Sequence, residues 1–238
     1  MSNAGKRVGI IGAGTAGLQQ ARALLAQGLD VVVFDARDRA GGLWEGNYLS
    51  YGVQVPHQLF GFPDFPFKQQ GALADLTTQD YIDGATAQAY IESYVRHYGL
   101  DEHLALGTRV TALDRRADGQ PGWTFAVESK KKVWQEVFDY AVVATGMYSS
   151  PPNVPSLPGT TVFESGGGTV LHSSGFTSPG LARGKRTVVI GGGKSAVDIA
   201  SYAATEGGAS KVTMLFRRPH WGTPRLIGGL IPFQYVFS

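Results

Sequence analysis

Glycines at positions 12, 14 and 17 follow the apolar run Val8-Gly9-Ile10-Ile11 and lead into Leu18, the spacing of a strand that turns tightly into a helix. Gly12 permits the turn, Gly14 lets a pyrophosphate approach the backbone, and Gly17 allows close packing of the helix on the strand. Ala13, Thr15 and Ala16 complete the turn, and the helix N-terminus presents its free N–H groups to the anion. Asp35 stands 18 residues after Gly17, at the end of a second apolar strand, Val31-Val32-Val33-Phe34. A carboxylate there can bond both ribose hydroxyls, so the chemistry is dinucleotide binding, with a purely structural turn as the alternative.

The chain carries this pattern twice. Val8 to Leu18 lies over Thr187 to Val197 at an offset of 179, which sets Gly191, Gly193, Lys194, Ser195 and Ala196 on the second turn. The strand after it, Val212-Thr213-Met214-Leu215-Phe216, laid over Val31 to Phe34 by its phenylalanine, puts Arg217 in the place of Asp35, with Arg218 next. A guanidinium there can pair with a ribose 2′-phosphate, which an acid would repel, so the second site favours NADP over NAD. The alternative is that both arginines only close a strand at the surface. Gly193-Lys194-Ser195 is no ATP-binding P-loop, because that motif requires glycine where Val188 stands. One ordinary-ribose site and one ribose-phosphate site in one chain point to hydride passing from NADPH to FAD.

Composition narrows the chemistry further. The 238 residues include no cysteine, so there is no dithiol to accept flavin electrons, no disulfide and no thiolate metal site; oxygen, a quinone or another acceptor remains. His57, His97, His103, His172 and His220 show no ligand-like spacing, and no metal is expected. Twenty-one Lys and Arg against 19 Asp and Glu give a net charge of +2, too little for a nucleic-acid partner, and the longest like-charge run is Lys130-Lys131-Lys132. No stretch reaches the length of a membrane span, although Leu226 to Phe237 is apolar around Pro232. Ser2-Asn3-Ala4 has the look of an expression scar ahead of the first strand, and without a signal peptide the expected location is cytoplasmic. Thirty-three glycines, about twice the usual ~7% share, are expected where backbone approaches something closely.

The elements that must position these residues can be read from periodicity. The fold class is α/β: two Rossmann-like dinucleotide-binding domains with parallel sheets, plus a three-stranded antiparallel ribbon in the first. The expected boundaries are 1–150 for an FAD domain, 151–180 for a proline-bearing linker and 181–238 for an NADP domain. Ala87, Ile91, Tyr94, Val95 and Tyr98 share one face, which predicts a helix over Ala87–Tyr98. Alternation from Arg109 to Val137, broken at Asp118-Gly119-Gln120-Pro121-Gly122 and at the lysines, predicts the ribbon. Tyr140 to Ala144 reads as a buried strand stopped by Thr145-Gly146, and residues 40–85 as a long ordered aromatic loop.

Further segments carry a resemblance. Gly41-Gly42-Leu43-Trp44, Asp64-Phe65-Pro66-Phe67, Ala144-Thr145-Gly146, His172-Ser173-Ser174-Gly175-Phe176 and Phe216-Arg217-Arg218-Pro219-His220-Trp221 together resemble the flavin-containing monooxygenases, from about residue 6 to the last. Gly168, His172 and Phe176 fit that family's linker signature, but Gly166 stands where its leading aromatic belongs, with Phe163 displaced by a glycine insertion. Related Baeyer–Villiger enzymes carry Trp-Pro after the histidine; Phe176-Thr177 here favours heteroatom oxygenation.

The resemblance implies that NADPH reduces FAD, that oxygen adds as a C4a-hydroperoxide, and that a soft nitrogen or sulfur nucleophile takes the distal oxygen. It implies that Gly42, Leu43 and Trp44 pass along the flavin, that Val110 offers backbone to the adenine, and that Ala144, Thr145 and Gly146 close the pyrophosphate side. Ala36 and Arg37 follow Asp35 in the same site, Lys194 and Ser195 meet phosphate oxygens of NADPH, and His172 positions the linker through Ser173. Many members place an asparagine beside the flavin where this chain has Gln54, which is expected to hydrogen-bond near flavin N5 as the catalytic amide. Members of the family are longer and return to finish both domains. The expectation is therefore a truncated chain, or a second polypeptide that supplies the rest; a catalytically silent binding fragment is the reading from another class.

Overall fold

The computed structural model describes residues 5–67, 75, 81–148, 151–219, 222, 226–232 and 235. The N-terminal Ser2-Asn3-Ala4 and the motif residues His220 and Trp221 lie outside them. Contacts divide the chain into two compact units: 1–46, 69–73 and 85–153 form the first, and 47–68, 74–84 and 154–238 the second.

The first unit is built on a parallel sheet. β1 (Arg7–Ile11) pairs with β2 (Asp30–Phe34), which pairs with the short β3 (Leu104–Ala105), and β7 (Tyr140–Val143) lies on the other side of β1, giving the order β3-β2-β1-β7. Val8, Ile10, Val31 and Val33 are buried and share one face of the sheet, while β7 is more exposed, with Tyr140 and Val143 open to solvent. α1 (Thr15–Leu25) packs on β2 through a face that includes Leu18 and Ala21, both fully buried. The predicted second helix runs from Gly84 to His97, three residues earlier at its start than periodicity placed it, and buries Ala87, Tyr90, Ile91 and Tyr94. Its first turn is legible only in the backbone, because Gly84-Ala85-Thr86 carries no large apolar residue.

The antiparallel ribbon is as expected: β4 (Thr108–Arg115), β5 (Trp123–Ser129) and β6 (Val133–Phe138) pair in sequence order, with a register shift between Val110 and Ala112. It packs on the face of the sheet that carries Gly9, Ile11, Val32 and Phe34, through aromatic contact. The Phe125 and Phe138 rings lie 5.9 and 5.8 Å from Phe34, and all three side chains are buried. Phe34 is the residue before Asp35, so the ribbon anchors the strand end that carries the carboxylate.

The second unit repeats the motif on a smaller scale. β8 (Arg186–Ile190) and β9 (Lys211–Leu215) pair in parallel, connected by the helix Lys194–Ala204. Ile199 and Ala203 of that helix join Tyr48, Phe176 and Ala182 in its core. The aromatic segment expected as an ordered loop contains a short helix, His57–Phe60, and buries Phe62, Phe65 and Phe67. Gly52 bridges Asp83 across the base of this segment. Among the described residues, no helix is long and apolar enough to cross a membrane.

Gly9, in the middle of β1, faces the ribbon so closely that a Cβ there would lie 2.6 Å from the Phe125 ring and 2.8 Å from that of Phe138. Both rings are buried and cannot swing into solvent. Gly9→Ala is expected to cost about 1–3 kcal/mol, the usual range for overpacking a filled core. A urea titration should show a lower midpoint with an unchanged slope.

Candidate functional site: two glycine turns, each after a parallel strand

The first turn is a close backbone meeting. Gly12 adopts φ +110°, and its N–H donates to the Phe34 carbonyl at 2.7 Å. A Cβ at Gly12 would lie 2.3 Å from the Ala144 carbonyl oxygen, and one at Gly17 would lie 1.8 Å from the Gly12 carbonyl oxygen. Only hydrogen fits at either place. Gly14 is the N-cap of α1 and makes no side-chain capping bond, and the first turn of the helix has no acid. The free N–H groups of α1 are therefore left for another acceptor.

A second loop closes against this one. Gly41 donates its N–H to the Ala13 carbonyl at 2.9 Å, and a Cβ at Gly42 would lie 3.0 Å from Gly14 Cα. Leu43 is 45% exposed and Trp44 half-buried, so neither is an ordinary core residue. Arg37 holds this loop through the Gly42 carbonyl and an ion pair to Glu45 at 3.2 Å.

Asp35 joins the two loops. Oδ2 accepts the Ala13 N–H at 2.8 Å and Oδ1 accepts the Arg37 N–H at 2.9 Å, so each carboxylate oxygen has one backbone donor and a free lone pair. The side chain is half-buried beside exposed Ala36, and those lone pairs suit the hydroxyls of a ribose. The bare approach at Gly14, the uncapped helix and the part-used carboxylate fit a dinucleotide. Ala144, Thr145 and Gly146 follow β7 beside Gly12, with Thr145 and Gly146 exposed. Val110 is half-buried at the bulge in β4.

Sequence reasoning missed a side chain that holds the Gly41-Gly42 loop from behind. Gln88, buried on the second helix, donates from Nε2 to the Ala40 carbonyl at 2.7 Å and to Glu92 at 3.0 Å, and Glu92 is ion-paired with Arg39. Burial opposes the charge on Glu92, but Gln88 and Arg39 outweigh it and keep its carboxyl below the usual range. Its spacing from Ala40 in the chain gives no hint of the contact.

The second turn is looser. Gly191, at φ +140°, donates to the Leu215 carbonyl at 2.9 Å, as Gly12 does to Phe34. Ala196 replaces the third glycine, and a Cβ at Gly191 would sit 3.4 Å from it, while nothing lies within 4 Å of one at Gly193. The strand ladder corrects one expectation. Ile190 is opposite Leu215 just as Ile11 is opposite Phe34, so the counterpart of Asp35 is Phe216, and Arg217 and Arg218 correspond to Ala36 and Arg37. Matching the two phenylalanines misplaces the register by one residue, because Phe216 stands one residue past Leu215, the ladder partner of Ile190. Both arginines are exposed one step beyond the strand end.

Lys194 opens the helix after this turn and is ion-paired with Asp198, while Tyr48 donates to the same carboxylate oxygen at 2.8 Å. Burial pushes the Tyr48 phenol up to about 12, with Asp198 adding to the shift and Ser195 opposing it. His172 accepts the Ser174 N–H at 3.3 Å and meets the Ser174 hydroxyl at 2.9 Å, so its partner is Ser174 and not Ser173. Gln54 belongs to the second unit and is exposed on a bend ahead of the His57–Phe60 helix. Among the described residues, no group of three or more His, Asp or Glu could hold a metal ion.

Parallel strands that turn through glycine into uncapped helices, twice in one chain, define an α/β protein with two Rossmann-like strand-turn-helix units. The chain belongs to the flavin-binding monooxygenase-like family, whose model matches residues 5–238. It is 31% identical over 261 residues to a probable flavin-containing monooxygenase 1 of Arabidopsis thaliana, covering 98% of this chain and 48% of that protein. An S-allyl-L-cysteine S-oxygenase from Allium sativum superposes with a TM-score of 0.75 at 27% identity, over 94% of this chain and 54% of that one. The cyclohexanone monooxygenase of Rhodococcus sp. Phi1, solved bound to NADP+, gives 0.72 at 30% identity, over 92% and 40%. The chain thus spans about half the length of the relatives it matches.

Asp35→Ala leaves the N–H groups of Ala13 and Arg37 without their acceptor. The ligand-free chain is expected to lose about 1–3 kcal/mol, the cost of orphaned, partly buried donors. Chemical denaturation of wild type and variant measures the difference.

Proposed function

We propose that the chain is the dinucleotide-binding part of an NADPH- and oxygen-dependent FAD monooxygenase acting on a soft nitrogen or sulfur nucleophile. The observation that carries the reading is the contrast between the two turns. The first ends its second strand in a carboxylate, Asp35, and the second has Phe216 there, followed by two exposed arginines. An acid suits an unmodified ribose, and its removal beside a guanidinium pair suits a 2′-phosphate. Family membership supports FAD, and the NADP+-bound cyclohexanone monooxygenase supports NADPH at the second turn.

In this reading Gly12, Ala13, Gly14, Thr15, Ala16 and Gly17, with Gly42, hold the FAD pyrophosphate on α1, and Asp35 holds its ribose. Gly191, Gly193, Ser195 and Ala196 present backbone to the NADPH phosphates, Lys194 adds a cation, and Arg217 and Arg218 hold the 2′-phosphate. Bound FAD would take hydride from NADPH and pass its electrons to oxygen, one oxygen atom going to substrate and one to water. Gln54, the amide that the family resemblance suggests as catalytic, is exposed in the second unit. In this reading FAD is assigned within 1–150 and NADPH to 181–238, with 151–180 as the linker, while contacts group 47–68 and 74–84 with 154–238. The S-oxygenase superposition supports sulfur as a target.

Purified protein incubated with FAD should keep a yellow flavin spectrum after desalting and oxidise NADPH under air. Colourless protein that consumes no NADPH overturns the proposal in favour of a silent binding fragment. A thioether should yield sulfoxide faster than a cyclic ketone yields lactone. Arg217→Ala should weaken NADPH binding about tenfold and leave NADH unchanged, the effect of losing one charge-assisted contact; equal losses would remove the case for phosphate recognition.

A further inference from the structure

Lys194 occupies an unfavourable place for a cation. It is the first residue of an 11-residue helix whose first turn has no acid and whose N-cap Gly193 makes no side-chain bond. The positive end of the helix dipole repels an ammonium there. Asp198 answers it one turn later, but a lysine four residues before an acid is the weaker order for stabilising a helix. The pair is therefore poorly explained as helix support.

Asp198 is also held from outside its helix. Its Oδ2 takes both the Lys194 ammonium and the Tyr48 hydroxyl, the latter at 2.8 Å. The Asp198 side chain is 16% exposed, so a carboxylate left there without a donor would be costly. Tyr48 is a rigid donor. Its ring is buried in the core with Phe176 and Ile199, and the next residue, Leu49, donates its N–H to the Phe176 carbonyl at 2.7 Å. A phenol that ionises only near 12 stays protonated at neutral pH.

We propose that Asp198 is a latch on Lys194 and that Tyr48 lets the latch open, by keeping the carboxylate hydrogen-bonded when an incoming dinucleotide phosphate draws the ammonium away. The inference rests on the second turn being a dinucleotide site and adds two positioning residues, Tyr48 and Asp198, that touch no ligand. Without the Tyr48 hydroxyl, the departure of Lys194 strands a largely buried charge, and that cost falls on binding. Without the Asp198 charge, Lys194 has no competitor for the phosphate.

The test is calorimetric titration of the chain with NADP+, together with mass-spectrometric measurement of Lys194 acetylation by acetic anhydride in the ligand-free chain. Tyr48→Phe, which keeps the buried ring, should weaken NADP+ about tenfold, in line with loss of one hydrogen bond to a charged group. Asp198→Asn should tighten NADP+ and raise Lys194 labelling. In the Asp198→Asn background, Tyr48→Phe should cost little, because the latch runs through the carboxylate, whereas a role through the other partner of Tyr48, Ser195, would persist there. Additive effects overturn the latch, as does a Tyr48→Phe variant that melts earlier but binds NADP+ like wild type. Lys194 labelling unchanged by Asp198→Asn overturns it whether or not NADP+ binds. Wild-type chain that fails to bind NADP+ overturns the dinucleotide reading itself, and the latch with it.

Discussion

At the first glycine turn three stretches of backbone meet, two of the contacts leaving no room for a side chain and the third tight. The carbonyl of Ala144 faces Gly12, the carbonyl of Gly12 faces Gly17, and Gly42 faces Gly14. Because α1 can come that close to β1, its N-terminus lies directly above the ends of the parallel strands. The same closeness brings the Ala13 N–H within 2.8 Å of Asp35 and the Ala13 carbonyl within 2.9 Å of Gly41. A single added methyl at Gly12 or Gly17 would push apart the strand, the helix and both neighbouring loops together.

Around that contact the molecule uses rigid supports from several parts of the chain. The ribbon presses Phe125 and Phe138 onto Phe34 and so fixes the end of β2 next to Asp35. Gln88 reaches from the helix Gly84–His97 to the Ala40 carbonyl, and a Cβ on Gly41 would fall 2.0 Å from its Oε1. The Gly41-Gly42 loop is thus clamped by Arg37 on one side and Gln88 on the other. Such support matters for any site that must present backbone amides at a fixed position.

The second turn shows what relaxes when one glycine is lost. Ala196 in the third position leaves the helix farther from the turn, and the space at Gly193 is open. The charged groups near the two turns also differ. An ammonium at the helix start and two guanidinium groups past β9 stand where the first turn has the Asp35 carboxylate and the Arg37–Glu45 pair. The two turns share a backbone design and differ in the charged groups around it.

The duplicated strand-turn-helix, the ribbon and the fold class were all legible in the sequence. Glycine spacing and alternating hydrophobicity are local properties, set by what each φ angle and each strand face permits. The position of Asp35 was legible for the same reason, since the length of one βαβ unit places it directly. The register of Arg217 was not: a matching phenylalanine suggested one alignment, and the hydrogen-bonded ladder chose another by pairing Ile190 with Leu215. Nor did chain spacing announce that Tyr48 would meet Asp198, 150 residues away, or that Gln88 would hold Ala40. Those pairs exist because hydrophobic packing of the Tyr48 ring and of the Gly84–His97 helix carries a polar end to a carbonyl or carboxylate that needs it. The sequence by itself determined where bare backbone must turn and which charges flank it; the tertiary structure alone decided which distant side chains hold those turns in place, because close packing, unlike periodicity, has no signature along the chain.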